Sequence, residues 1–406
     1  MLGGGVRRIT WMLMGILLTI AFLGEKSFDL RPKTEYAHTQ LRQQFPEVIA
    51  PTGVLADVFE TTRSATLRIE SRSESLTVGG PLGVGSAFFI SEDGLIVTAY
   101  HVVDDTEVNR RFRGDIEYVA VTPDEVEYEL ELVGFDAYLD LAVLQAKIDG
   151  PVDYLPLAAA VPEVGSEIVA IGNSRDSFLE ARAGNVIEIG VESPRASFAE
   201  NTIQLTAALA PGDSGGPVIN EAGEVVGVVS YIALNGANQG LEDLDIPDYL
   251  KGYIGGEPSF ASFASPVLAN DEVISGLMAG ERRDVPVIGF TALFDYIPRL
   301  AGQNLRGAVY PDLGRRPGVV IAGVQSGGPA ERAGLRASQQ QGTSISSADV
   351  ITHVDGEPAR DFYELLELLY IKGVGETVTV TVQRGDETFK VRLELGAKRD
   401  VFRVGL

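Results

Sequence analysis

Cysteine is absent from all 406 residues, which excludes disulfides, thiol nucleophiles and cysteine-ligated metals. Histidine is almost as scarce, with only His38, His101 and His353. A zinc site built on two or more histidines of one domain is therefore not expected, and no metal or cofactor is predicted. Positive charge is also in short supply: 33 Lys and Arg stand against 57 Asp and Glu, for a net charge of −24. Nucleic acid needs a basic face and is excluded as a partner. A broad electrostatic dock on an anionic membrane is disfavoured for the same reason. The surplus acid reads as a device for solubility.

Long apolar runs are missing as well, with one exception. Arg7 and Arg8 precede an apolar stretch from Ile9 to Leu23 that ends at Gly24-Glu25-Lys26. A helix of roughly 16 residues spans ~24 Å, a little short of the ~30 Å hydrocarbon core of a bilayer. Neither Ala21-Phe22-Leu23 nor Gly24-Glu25-Lys26 offers the paired small residues of a cleavage site. Residues 1–26 are expected to be an uncleaved membrane anchor, with a cleaved signal peptide as the alternative. The leading arginines put the N-terminus on the cytoplasmic side and everything after residue 26 outside the cytoplasm.

What is present is an ordinary globular composition, 45% hydrophobic and 22% charged, in a chain long enough for two or three domains. Residues 27–49 are polar and mixed and read as a tether. Val54 to Thr62 predicts a short helix. From about residue 65 to 266 the texture is β, in short alternating runs broken by Gly, Pro, Asn or Asp. Ser86–Ile90 and Leu95–Thr98 flank Glu92-Asp93-Gly94, a hairpin turn sequence. Many short strands with no alternating helices predict β-barrels. Asn270 to Gly280 reads as a connecting helix. The last stretch, with helical Phe362–Ile371 and strands at Thr377–Val382 and Lys390–Leu395, reads as a compact α+β module. Phe362, Leu365, Leu366 and Leu369 fall on one face of that helix.

The most specific stretch is Pro211-Gly212-Asp213-Ser214-Gly215-Gly216-Pro217. Glycines on both sides of a serine permit a backbone that turns two N–H groups toward one point. The segment Gly212, Asp213 and Ser214 is thereby a candidate oxyanion hole, with the Gly212 and Ser214 N–H groups as donors. A serine nucleophile needs a base, and His101 is the only histidine between residues 39 and 352. The imidazole needs a carboxylate to fix its tautomer. Asp140 sits in the apolar run Tyr138-Leu139-Asp140-Leu141-Ala142-Val143-Leu144, where a half-buried acid requires a partner. Asp136 is the alternative acid. Taken singly, each of these residues has a bland reading, as a turn serine, a core histidine or a surface acid.

The order His101, Asp140, Ser214 in these local sequences resembles the chymotrypsin clan and, more closely, the HtrA/Deg family of extracytoplasmic serine proteases. The resemblance is carried by Gly83–Ile90, Ser91–Thr98, Ile168-Val169-Ala170-Ile171-Gly172-Asn173, Ile203-Gln204, Ala207-Ala208 and Phe263-Ala264-Ser265-Pro266. It implies a mainly β protein, with a chymotrypsin-like double β-barrel protease domain over 50–268 and a linker over 269–285. An α+β PDZ domain would follow over 286–397. Departures are Ala99-Tyr100, Thr206 where Asp is usual, and Asp213 where Asn is usual. An acidic stretch from Tyr231 to Ser262 replaces a shorter loop. Its spacing fits no calcium loop, and it reads as a solvated flap.

Leu209, Val229 and Tyr231 are expected to wall the pocket for the residue before the cleaved bond. With no acid at its base, small or medium apolar side chains such as Val or Ala are the expected choice. Val287, Ile288, Gly289 and Phe290, in Pro286-Val287-Ile288-Gly289-Phe290, resemble a PDZ carboxylate-binding loop. Gly318–Ile321, Ser326–Ala330 and Ala333-Gly334-Leu335 support this, while Arg336–Ala348 is longer than usual and reads as a surface loop.

The resemblance implies an ATP-independent endopeptidase acting on misfolded or exposed-terminus proteins outside the cytoplasm. Peptide C-termini would bind the PDZ domain, and three copies would form a homotrimer. The alternative is a PDZ-bearing chaperone or scaffold with a latent protease domain.

Overall fold

A computed structural model describes residues 47–73, 81–104, 116–174, 178–191, 202–235, 259–292, 318–341, 344–360 and 362–402. The expected anchor and the middle of the acidic stretch lie outside these residues. Among the described residues, no helix is long and apolar enough to cross a membrane.

A short helix, α1 (Val54–Thr62), leads into six strands: β1 (Thr66–Ser73), β2 (Gly83–Phe89), β3 (Leu95–Ala99), β4 (Ile116–Val121), β5 (Glu127–Asp136) and β6 (Leu141–Ala146). They close in the order β5-β4-β1-β2-β3-β6, with β6 returning to β5. The expected hairpin is present, with Phe88 opposite Val97 and Gly94 at φ 90° in its turn. A second barrel is built from β7 (Glu167–Gly172), β8 (Glu180–Val191), β9 (Thr202–Leu205), β10 (Pro217–Asn220), β11 (Val225–Asn235) and β12 (Ser259–Pro266). It closes in the order β10-β11-β12-β9-β8-β7. The acidic stretch therefore begins and ends in long paired strands, since β11 and β12 run together from Gly227↔Pro266 out to Asn235↔Ser259.

Burial explains which strands alternate and which do not. On β5, Glu127 to Leu132 alternates because one face meets solvent. Strands β3, β6 and β7 are buried on nearly every residue. They form the seam between the barrels. Phe88, Val97, Leu141 and Val143 of the first barrel share one core with Val169, Ile171, Ile219 and Val228 of the second. Side chains one residue out of phase, Ile168 and Ala170, point into the second barrel instead. The seam is thus a rigid apolar layer, and the loops at its edge inherit that rigidity.

The stretch expected as a linker is well structured. Helix α3 (Glu272–Met278) buries Ile274 and Leu277 in the seam core, and α2 (Tyr100–Val103) is the turn after β3. Strand β13 (Arg282–Arg283) then adds to β5 in parallel. Gly134 makes this close approach feasible, because a Cβ there would collide with the Leu277 and Glu281 carbonyls.

The C-terminal module contains β14 (Pro286–Val287), β15 (Phe290–Ala292), β16 (Val319–Val324), α4 (Pro329–Arg332), β17 (Gln339–Gln341), β18 (Ser344–Ser347) and β19 (Asp349–Val354). Then come β20 (Glu357–Pro358), α5 (Phe362–Tyr370), β21 (Thr377–Arg384), β22 (Glu387–Glu394), β23 (Gly396–Ala397) and α6 (Lys398–Val401). Its sheet runs β15-β16-β19-β21-β22, with β20 on β19. Part of the expected 336–348 surface loop is a hairpin, β17 with β18.

The single apolar face foreseen for α5 serves two cores. Leu365 and Leu369 pack into the module, while Leu366 packs with Tyr138, Val285 and Val287. The reason is that Leu366 lies one residue round the helix, toward the first barrel. Val48 to Leu406 forms one compact unit in which both modules lie.

Candidate active site

Three chain segments converge at the seam edge. Strand β3 ends at Ala99, and α2 starts at Tyr100, so His101 leaves the barrel on the first turn of a helix. Asp140 precedes β6 in a left-handed conformation, φ 57°, which a non-glycine residue adopts only when its surroundings hold it there. Its carbonyl accepts from Tyr100 N–H at 3.0 Å, and its carboxylate oxygen Oδ1 accepts from His101 N–H at 2.9 Å. The turn therefore clasps the histidine backbone before its ring is considered.

His101 Nδ1 lies 2.8 Å and 3.0 Å from the two Asp140 carboxylate oxygens. A carboxylate only accepts, so Nδ1 carries the proton and Nε2 is left as the basic nitrogen. Asp140 is 3% exposed and also accepts from Ser230 Oγ at 2.6 Å. The imidazole is half-open, its side chain 38% exposed. Asp136 does not reach the histidine. It is fully buried and accepts from the N–H groups of Tyr138 and Leu139 and from the Tyr370 hydroxyl.

The segment around Ser214 is held from four sides. Ser86 Oγ donates to Gly212 O at 2.8 Å, and Ser86 N–H donates to Ser214 O at 2.8 Å. Asp213 N–H turns away to Ala210 O at 3.0 Å, and Gly215 N–H donates to Val229 O at 2.7 Å. Among the described residues the N–H groups of Gly212 and Ser214 donate to nothing. Of the three residues expected at the oxyanion hole, two present donors and Asp213 does not, because its own N–H is consumed within the loop. Two glycines make the turn feasible: Gly212 at φ 102° and Gly215 at φ 87°, where a Cβ would meet Asn173 O and Ser86 O respectively.

The Ser214 hydroxyl donates to Ser230 O at 3.4 Å, and no hydrogen bond joins it to His101 among the described residues. Ser230 thus touches both Asp140 and Ser214. It was not foreseen, because the bonding partner that gives it meaning lies 90 residues away.

Residues 85–228 match the trypsin-like peptidase domain family, and residues 302–395 match the PDZ domain family. The chain carries a trypsin-like peptidase domain and a PDZ domain. Its resemblance to HtrA- and Deg-type proteases extends across both. Protease Do-like 1 of Arabidopsis thaliana chloroplasts is 28% identical over 79% of this chain and 65% of its own length. A DegP-like protein of Rhizobium meliloti, named as a periplasmic serine endoprotease, is 28% identical over 78% of this chain and 54% of its own. The chain therefore spans only part of these relatives. Two solved structures share the fold. One is the HtrA-type protease AlgW with a decapeptide (TM-score 0.54, 21% identity, 86% of this chain and 99% of that one). The other is a serine endoprotease from Yersinia pestis (TM-score 0.53, 22% identity, 86% and 99%).

Of the residues expected to wall a specificity pocket, Leu209 and Val229 lie in the second-barrel core. Val229 is tied to the loop that carries Ser214 by its backbone bonds to Gly215 and Gly216. Tyr231 is buried and stacks on Phe263, with ring centroids 4.6 Å apart.

In the PDZ domain, Val287 pairs with Gly396, and Phe290 opens β15 opposite Val324. Between them Ile288 O accepts from Ala330 N–H at 2.7 Å and Gly289 O from Gln325 N–H at 3.0 Å. The four residues thus form one loop whose carbonyls are tied inward, with Gly289 at φ 86° beside Val401 and Pro329. Among the described residues no cluster of three or more His, Asp or Glu is arranged to hold a metal ion.

Proposed function

We propose that the chain is a serine endopeptidase of HtrA/Deg type, with Ser214 as nucleophile, His101 as general base and acid, and Asp140 as the orienting carboxylate. The observation that carries this is the Asp140 cage, which holds both the backbone and the Nδ1 of His101 and leaves Nε2 free. His101 Nε2 takes the Ser214 proton as Oγ attacks the peptide carbonyl carbon. The oxyanion meets the Gly212 and Ser214 N–H groups, each such donor contributing roughly 10²–10³ in rate. His101 then returns the proton to the leaving amine, and water repeats the sequence on the acyl-enzyme. No step calls for a nucleotide.

Substrates are unfolded or exposed-terminus proteins, and the Val287–Phe290 loop receives peptide C-termini as an added strand beside β15. Apolar residues of small or medium size are preferred before the cleaved bond, with Tyr231 the remaining wall candidate, since Leu209 and Val229 pack in the second-barrel core. Work outside the cytoplasm, behind the 1–26 anchor, is supported by the apolar run and by the periplasmic relative. Trimer assembly follows from the resemblance.

A second reading is a latent scaffold, favoured by the Ser214 hydroxyl facing Ser230 rather than His101. Digestion of casein by wild type and by Ser214→Ala separates the two. Loss of activity in the variant supports the peptidase, and equal activity in both ends the assignment. A wild type that neither digests casein nor reacts with a fluorophosphonate at Ser214 favours the scaffold.

A further inference from the structure

Tyr100, the residue before His101, is buried in the first-barrel core with Val103 and Phe135. Its ring stacks on that of Phe135, with centroids 4.4 Å apart and planes 16° from parallel. Phe135 has a second partner. The guanidinium carbon of Arg399 lies 5.5 Å from the centroid of the Phe135 ring, within reach of a cation–π contact. Arg399 belongs to α6, which follows the last PDZ strand and lies beyond the residues 302–395 that match the PDZ family. The last helix is thereby joined through one aromatic ring to the turn that carries His101. Several contacts hold Arg399 in place. Its Nη2 donates to Asp284 Oδ2 at 2.5 Å, and Lys398 N–H donates to Val285 O at 2.8 Å. At the other end of α6, Val401 fits against Gly289 and Gly396, where a Cβ would collide with it. Burial raises the Asp284 carboxyl; Arg399 opposes that rise, while the charges of Asp400 and Asp104 add to it. Asp104 is the residue immediately after α2. One cation therefore offsets acids from α6, from the strand joining the domains and from the far end of the histidine turn.

We infer that Arg399 is a positioning residue for His101, acting through Phe135 and Tyr100 to steady the turn that carries the imidazole. The inference rests on the peptidase reading above. Asp140 grips the histidine backbone and Nδ1, and so holds the turn from one side. The aromatic stack holds it from another. Tyr100 and His101 are adjacent on one turn, so α2 cannot rotate without moving the Tyr100 ring across Phe135. A cation laid on Phe135 resists that movement, because displacing the ring also breaks its contact with the guanidinium. Attachment of the PDZ domain is a separate matter. Tyr370 and Leu366 join the domains at Asp136 and Tyr138, so the two modules stay docked when Arg399 is removed.

The test measures the rate of Ser214 labelling by a small fluorophosphonate, and kcat and KM on fluorescent casein, in the full chain. The proteins are wild type, Arg399→Ala, Arg399→Lys, Tyr100→Leu and Tyr100→Leu/Arg399→Ala. The label is too small to engage the PDZ domain, so its rate reports on Ser214 and His101 alone. For Arg399→Ala the expected result is a ~5-fold fall in labelling rate and kcat with KM little changed, the worth of one cation–π contact. Arg399→Lys keeps a cation for the ring and for Asp284 and recovers most of the loss. With Tyr100→Leu already present, Arg399→Ala has no further effect, because the link to His101 is cut. Wild-type labelling in Arg399→Ala overturns the inference, whatever happens to its melting point. So does a lysine variant no better than alanine, or an Arg399→Ala effect equally large with and without Tyr100. If Tyr100→Leu does not fold, the comparison of Arg399→Ala with Arg399→Lys still decides. Absence of labelling in wild type would instead strike the peptidase reading itself.

Discussion

Two aspartates flank the candidate active site, both completely buried, and they are neutralised in different ways. Asp213 is met by a full cation, Arg182, from within its own barrel. Asp136 is met by hydrogen bonds, two from backbone N–H groups and one from the Tyr370 hydroxyl on the PDZ helix. Its nearest cation, Arg283, stands 3.9 Å away on the strand joining the domains. Asp213 thus makes the loop that carries Ser214 self-sufficient inside the peptidase domain. Asp136 lies four residues before Asp140, so the turn that carries Asp140 is partly completed by the other domain.

Removing each carboxylate breaks this comparison most sharply. Asp213→Ala leaves Arg182 buried with one counter-ion fewer, and the expected loss is ~3–5 kcal/mol of unfolding free energy. Asp136→Ala strands three donors without burying a net charge, and should cost less, ~1–3 kcal/mol. Urea unfolding of the two variants measures both. If Asp136→Ala proves the more damaging, the distinction between a cation and a hydrogen-bond cage fails.

Acidification sharpens it. Burial raises both carboxyls above the ordinary value of 3.8, Asp213 to about 6. A raised folded pKa means the folded protein holds that proton more tightly than the unfolded chain does. The stability this provides is complete below about pH 4 and is lost as pH rises to about 6. At ~1.36 kcal/mol per unit, Asp213 should account for ~3 kcal/mol across that window. The measurement is the unfolding free energy of wild type against Asp213→Asn from pH 4 to pH 7, with wild type losing ground as pH rises. Wild type gaining ground instead would show that Arg182 dominates over burial.

The parts of this site legible in the sequence were those written locally. Gly212 to Pro217 specifies its own turn, His101 follows its strand by two residues, and the apolar run around Asp140 announces a buried acid. The barrels were legible because β1 and β5 alternate. The seam strands were not distinctive, since burial on both faces turns alternation into a plain apolar run. What could not be read were partners joined only by folding. Ser230 finds Asp140 across 90 positions, and Tyr370 finds Asp136 across 234. Arg182 is an intermediate case. A buried acid at 213 demanded a cation, and an arginine between Ala181 and Ala183 in a strand was the available signal. The connecting helix was legible from Asn270 to Gly280, while the pairing of Arg282-Arg283 with β5 was not, because that partner lies far away in sequence.

The contact between domains gives the smallest and most selective test. Tyr370 donates its hydroxyl to Asp136 at 2.6 Å, and its ring stacks on Tyr138 at 4.1 Å between centroids. Burial and the adjacent carboxylate push the phenol above its usual pKa, so it stays protonated and remains a donor throughout the working range. Tyr370→Phe keeps the stack and deletes only the donor, leaving Asp136 two N–H groups. One hydrogen bond to a charged group contributes ~1.5–3 kcal/mol, and the lower end is expected because Arg283 stands by to compensate. Tyr370→Ala loses the ring contact too, a further ~0.5–1.5 kcal/mol beyond its buried area. The two variants, compared by thermal unfolding and by casein turnover, separate the hydroxyl from the ring. A fall in turnover for Tyr370→Phe at temperatures where it remains folded would mean that the PDZ helix acts on the Asp140 turn through this one oxygen. Unchanged turnover with a lowered melting point would confine Asp136 to holding the domains together.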